Sequence, residues 1–289
     1  MALADTFYLS SPPPRSNMII EPLLLAELAV LGLCTGFLAG LLGIGGGMIM
    51  VPFLTYLLGA RGVGPDLAVK MAIATSMATI IFTSVSSVRA HQKKNAVRWD
   101  LVKGLAPGIV IGSLIGSLGI FAFAKGTYLA LFFALFVGFS ATQMFLDKKP
   151  APSRQVPGFN GLLGAGGLIG LLSGLVGAGG GFISVPFMTW CNVPLRQAVG
   201  TSAALGFPIA LANAIGYVVS GWSVTNTPPH SFGFVWLPGF FIICVCTVFT
   251  APMGARYAQR LPVAKLKRGF AYLLYALACT MLYQGLTAV

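Results

Sequence analysis

Long apolar runs, each about 20 residues and separated by short polar or charged segments, dominate the chain. Three uninterrupted runs lie near residues 68–90, 101–123 and 127–146, and three more near 198–220, 233–254 and 266–287. Each is long enough to cross roughly 30 Å of hydrocarbon as one helix. Ahead of each trio stands an apolar segment broken by consecutive glycines, Gly45-Gly46-Gly47 in one case and Gly179-Gly180-Gly181 in the other. The pattern predicts an all-α, polytopic transmembrane protein. The first residues differ: Ser10, Ser11 and Pro12-Pro13-Pro14 predict an extended, solvated tail over 1–18. No short apolar stretch leads into a small-residue cleavage site, so this segment is expected to stay on the protein.

The two broken segments are copies of each other. Residues 36–54 read GFLAGLLGIGGGMIMVPFL and residues 170–188 read GLLSGLVGAGGGFISVPFM. Gly36, Gly40, Gly43, Gly45, Gly46, Gly47, Val51, Pro52 and Phe53 recur as Gly170, Gly174, Gly177, Gly179, Gly180, Gly181, Val185, Pro186 and Phe187. Further on, Thr75-Ser76 matches Thr201-Ser202, and Pro107-Gly108 matches Pro238-Gly239. The sequence therefore divides into a first repeat at 19–146, a Lys-, Pro- and Ser-containing linker at 147–158 and a second repeat at 159–289. Each repeat is a glycine-broken hairpin followed by three spanning helices.

Composition agrees with a membrane location. The chain is 56% hydrophobic and 8% charged, with a mean hydropathy of +0.87. A soluble domain carries about 25% charged residues, so this chain could not cover a water-facing globule. The net charge of +12 belongs to loops and informs topology rather than nucleic-acid binding. If every segment, broken ones included, crossed the membrane once, Lys and Arg would divide evenly between the two sides. If each broken segment enters and leaves on one side, the 89–103 loop, the linker, Arg196 and the 256–268 loop fall together. Only Arg15, Arg61, Lys70 and Lys125 then lie opposite. The second arrangement obeys the positive-inside rule, makes the halves inverted repeats, and puts both termini on the periplasmic side.

The chemistry resides in the breaks. Irregular backbone is tolerated at membrane depth only where protein buries it or where it lines a cavity. Consecutive glycines bend sharply and leave amide groups uncovered. A short helix is expected to start near Pro52 and near Pro186, its N-terminus aimed at the bilayer middle. Such an end favours anions through its dipole and its unpaired donors. Gly45, Gly46, Gly47, Gly179, Gly180 and Gly181 are therefore candidate substrate-binding residues, the competing reading being tight helix packing. The hydroxyls of Thr75, Ser76, Thr201 and Ser202 are candidates too, since a hydroxyl can donate to an oxyanion, although such groups also bond back to their own helix. Thr79 and Thr83 share a face with Thr75, and Ser84, Ser87 and Asn213 lie further along the same helices. Glu27, a carboxylate inside an apolar run, is the candidate for binding a proton in coupled transport. Gly104, Gly108, Gly112 and Gly116, spaced by four, predict a packing groove. His91 and His230 fall at helix ends, where an interfacial position is expected. The cysteines show no metal-binding spacing and read as free thiols in apolar runs; no metal, cofactor or catalytic triad is expected.

The doubled G-L-L-G-I-G-G-G…V-P-F and G-L-V-G-A-G-G-G…V-P-F motifs, with V-G-T-S at Val199–Ser202, resemble the TauE/SafE family over roughly residues 25–289. That resemblance implies a bacterial inner-membrane permease for sulfite, sulfonates or related anions. Together these readings predict a secondary transporter of a small anion, favouring export, with the lipid bilayer as its surroundings. An anion-selective channel and an intramembrane enzyme are the alternatives. Saturable flux would identify a carrier, and ohmic current a channel.

Overall fold

The computed structural model describes residues 21–43, 46–146, 155–257 and 263–287. The tail at 1–18, Gly45, linker residues 147–154, and residues 258–262 of the charged 256–268 segment lie outside the described residues.

Among the described residues, each half contributes five helices. The first half has α1 (Pro22–Leu42), α2 (Gly47–Ala60), α3 (Pro65–Gln92), α4 (Trp99–Phe123) and α5 (Gly126–Leu146). The second has α6 (Phe159–Val176), α7 (Gly181–Trp190), α8 (Leu195–Gly221), α9 (Leu237–Tyr257) and α10 (Val263–Thr287). A two-stranded antiparallel hairpin, β1 (Ser231–Phe232) and β2 (Val235–Trp236), precedes α9. Prolines open α1 and α3, where the missing N–H has no intrahelical partner to lose. Eight helices among the described residues are long and apolar enough to cross a membrane. The exceptions are α2, with 14 residues, and α7, with 10, which extend only about 21 and 15 Å at 1.5 Å per residue.

The six uninterrupted runs appear as helices close to their predicted limits, with one displacement. The run expected from 233 becomes a helix only at Leu237, because residues 231–236 fold into the hairpin. His230 and Gly233 hold left-handed backbone there, at φ of 62° and 59°, and so break the helix. The buried face of the hairpin, Phe234, Val235 and Trp236, is as apolar as a spanning segment, so hydropathy does not distinguish the two.

The halves exchange helices. On α1, Gly32 faces Ile243 and Cys246 of α9, Gly36 faces Thr247, and Gly40 faces Ala251, so α1 and α9 run parallel. On α4, Gly104 faces Leu162 of α6, Gly112 faces Gly167, and Gly116 faces Leu171, so α4 and α6 also run parallel. The predicted glycine ladder is thus a packing groove. Contact is backbone to backbone: a methyl group on Gly112 would lie 1.9 Å from the Gly167 carbonyl oxygen. These registers pair Ile109 with Thr247, and Gly116 with Gly254, as matching positions. They overturn the match of Pro107-Gly108 with Pro238-Gly239, since Pro107 lies in the interior of α4 and Pro238 in the first turn of α9. α5 and α10 pair antiparallel through Phe145 with Tyr272, Thr142 with Tyr275, and Leu131 with Gly285.

Connections group the helix ends into two faces. At one, Arg61 after α2 bonds Glu27 near the start of α1, and Asp66 at the start of α3 accepts from Thr127 at the start of α5. At the other, Arg196 at the start of α8 donates to the Lys94 carbonyl in the loop after α3. The helices α3 and α8 form the centre, with 78% and 67% of their spanning windows buried. They also carry about half of the buried hydroxyls.

Candidate functional site

Each glycine break is built on two left-handed glycines. Gly43 (φ 68°) and Gly177 (φ 72°) end α1 and α6, their N–H groups donating to the Ala39 and Ser173 carbonyls. Gly46 (φ 74°) and Gly180 (φ 76°) then turn the chain into α2 and α7. A side chain is disfavoured in this conformation, which explains the repeated glycines. The short helices therefore begin at Gly47 and Gly181. The expectation that they start near Pro52 and Pro186 is corrected: both prolines lie inside the helices, and the left-handed glycines set the start.

The two breaks touch. A methyl group on Gly47 would fall 1.9 Å from the Gly177 carbonyl oxygen, so the two backbones meet with no side chain between them. Gly43 abuts Val199 of α8, and Gly177 abuts Ile73 of α3.

Both Thr-Ser pairs tie the halves together. Ser76 Oγ donates to the Gly177 carbonyl at 2.8 Å, and Ser202 Oγ donates to the Gly43 carbonyl at 3.1 Å. Thr75 Oγ1 accepts from the Trp236 amide at 3.0 Å, and Thr201 Oγ1 accepts from the Arg98 amide at 3.0 Å. Trp236 and Arg98 are the residues just before α9 and α4. Each pair thus grips the opposite half at its break and at the entry to its fourth helix. All four side chains are fully buried. Latching the protein is therefore the first role of Thr75, Ser76 and Thr201, which the sequence presented as ligand donors.

Ser202 also lines a cavity of about 10 Å³ between the breaks, together with Gly43, Gly179, Thr83, Ser84 and Ser87. That is room for about one water molecule. Ala39, Ile80, Ala203 and Gly206 complete a lining whose exposed surface is mostly apolar. The amides of Gly179 and Gly180 make no hydrogen bond among the described residues. The Thr83 hydroxyl lies 3.0 Å from the Thr79 carbonyl oxygen and 2.8 Å from Thr247 Oγ1, and Ser84 donates to the Ile81 carbonyl. Ser87 Oγ is buried and makes no hydrogen bond among the described residues. The same holds for Ser173 Oγ, beside Gly180, a residue the sequence reading missed. Its signal was present in the repeat, since Ser173 stands where the first copy has Ala39. No charged side chain lines this cavity.

Other candidates lie apart. Glu27 is held 3.3 Å from Arg61 at the outer end of the α1–α2 hairpin and does not reach the breaks. His230 is exposed in the turn before the hairpin. His91, by contrast, is buried: it is 3% exposed, with Nε2 3.4 Å from the Gly40 carbonyl oxygen. The helices α1 and α9 cover the end of α3 that the sequence left open. A larger recess of about 380 Å³, bordered by Thr55, Tyr56, Thr127 and Gln284, opens near the Glu27–Arg61 end, away from the breaks. The cysteines are free thiols.

Known proteins are similar to this chain in sequence. The family described as "Sulfite exporter TauE/SafE" matches residues 28–281. A "Probable membrane transporter protein" of Haemophilus influenzae is 37% identical over 254 residues, covering 87% of this chain and 96% of the relative. Relatives with similar names in Methanocaldococcus jannaschii and Bacillus subtilis are 26% and 25% identical, covering 83% and 90% of this chain and 88% and 97% of theirs. No solved structure matches the chain at a significant level. With the family matched over nearly its whole length, and with eight helices of spanning character, the chain belongs to the TauE/SafE family of membrane transporters.

Proposed function

We propose that this protein is a secondary permease that moves a small oxyanion, sulfite or a sulfonate, out across the bacterial inner membrane. The observation that carries this reading is the meeting of two glycine breaks beside a small cavity that Gly179, Ser84, Ser87 and Ser202 border among apolar neighbours. Backbone donors and hydroxyls can replace the hydration of an anion without a buried cation. The family's description as a sulfite exporter supports the substrate class.

The parallel pairs α1–α9 and α4–α6 and the crossed Thr-Ser latches support a two-fold exchange between inverted repeats. On this reading the loop before α4, held at Thr201, closes one face and the hairpin, held at Thr75, closes the other. Releasing one latch at a time gives alternating access, and closure at both ends favours a carrier over a channel. The face bearing the 89–103 loop and Arg196 is assigned to the cytoplasm by its Lys and Arg content. An inside-negative potential then supplies about 2.3 kcal/mol per charge per 100 mV for anion exit.

Vesicles reconstituted with the purified protein should take up labelled sulfite or methanesulfonate with saturation and mutual competition. Ohmic anion current without saturation would replace the carrier with a channel, and no flux of either anion would remove the oxyanion reading.

A further inference from the structure

The cavity between the breaks holds hydroxyls and amides but no cation, while a titratable side chain lies buried one helical turn away. On α3, Ser84, Ser87 and His91 follow one another at spacings of three and four, and so share one face. Ser84 and Ser87 line the cavity, as does Ala39, the neighbour of Gly40, whose carbonyl oxygen lies 3.4 Å from His91 Nε2. From this geometry we infer that His91 is a proton-binding site linked to the anion, an inference that rests on the oxyanion reading above.

The opposite half supplies the comparison. There Tyr217 Oη donates to the Gly174 carbonyl, as His91 lies against that of Gly40, and Gly174 is the repeat of Gly40. A tyrosine therefore suffices to fasten the third helix of a repeat to its first. What histidine adds is a proton exchangeable near neutral pH. The charges around it set the direction of coupling. Lys94 after α3 and Arg196 at the start of α8 place positive charge at this end of the helices. Arg89 and Lys93 flank it on its own segment, and α9 ends nearby in Arg256 and Tyr257. The carboxylate of α1, Glu27, is at the other end of that helix with Arg61. An anion arriving between Ser87 and the breaks supplies the missing negative charge and favours the imidazolium. Conversely, the imidazolium tightens anion binding, since linkage between two ligands is reciprocal.

The test is the pH dependence of the KM for methanesulfonate, whose charge is constant between about pH 5 and 8, the range in which histidine titrates. In reconstituted wild-type protein, KM should fall about tenfold as the pH falls, a coupling within the usual range for linked sites. His91→Gln and His91→Tyr should transport with a flat KM, the tyrosine preserving the contact seen at Gly174. Solubilised wild-type protein in weak buffer should also take up protons when methanesulfonate is added, a measurement that needs no variant. A flat KM in the wild type, a retained pH dependence in either variant, or no proton uptake on binding would overturn the inference while leaving the oxyanion site standing. Absence of methanesulfonate binding at every pH would sink both.

Discussion

Gly47→Ala is expected to lower anion flux by about 10- to 100-fold while the protein still inserts in the membrane. The added methyl group would lie 1.9 Å from the Gly177 carbonyl oxygen, and a backbone atom of another helix has no rotamer by which to escape. Overpacking of this kind costs about 1–3 kcal/mol. The strain falls where the two breaks meet, so the relaxation is borne by the proposed site. Gly138→Ala in α5 is the control, because nothing lies within 4 Å of a methyl group there. Flux and membrane yield, measured for both variants, separate the two effects. Normal flux in Gly47→Ala would mean that contact between the breaks is dispensable.

Ser76→Ala and Ser202→Ala are expected to diverge, although the two serines are partners in the repeat. Each removes the donor from a buried carbonyl, Gly177 in one case and Gly43 in the other. Leaving such a group unsatisfied costs about 1–3 kcal/mol, so both variants should melt at lower temperature in detergent. Only Ser202 also borders the cavity, where it accepts from Ser184 at 2.9 Å. Ser202→Ala should therefore raise the KM for the anion about tenfold, the equivalent of about 1.4 kcal/mol, whereas Ser76→Ala should alter stability far more than KM. Equal KM effects in both would place the anion elsewhere, or symmetrically between the pairs.

Much of this architecture was legible because membrane helices must be long, apolar and internally hydrogen-bonded. The doubled glycine motif identified the two breaks, and the repeat singled out the Thr-Ser pairs, though as ligand donors rather than as contacts between the halves. What the sequence hid was the partner. Ser76 reads like any helical serine able to bond its own turn, and its carbonyl acceptor lies 101 residues away. The prolines misled for a related reason: Pro52 and Pro186 suit a helix start, but a left-handed glycine at Gly46 and Gly180 supplies one sooner. His91 looked interfacial from its place at the end of α3. Its burial against the Gly40 carbonyl of α1 is a tertiary fact that periodicity does not carry.

The account depends most on where the anion sits, and a structure of the protein with selenite, a heavier relative of sulfite, would locate it by anomalous scattering. The expected peak lies between Gly43, Gly179, Ser87 and Ser202, with the cavity enlarged to admit it. A peak confined to the recess beside Thr127 and Gln284, with the two breaks still pressed shut, would contradict it.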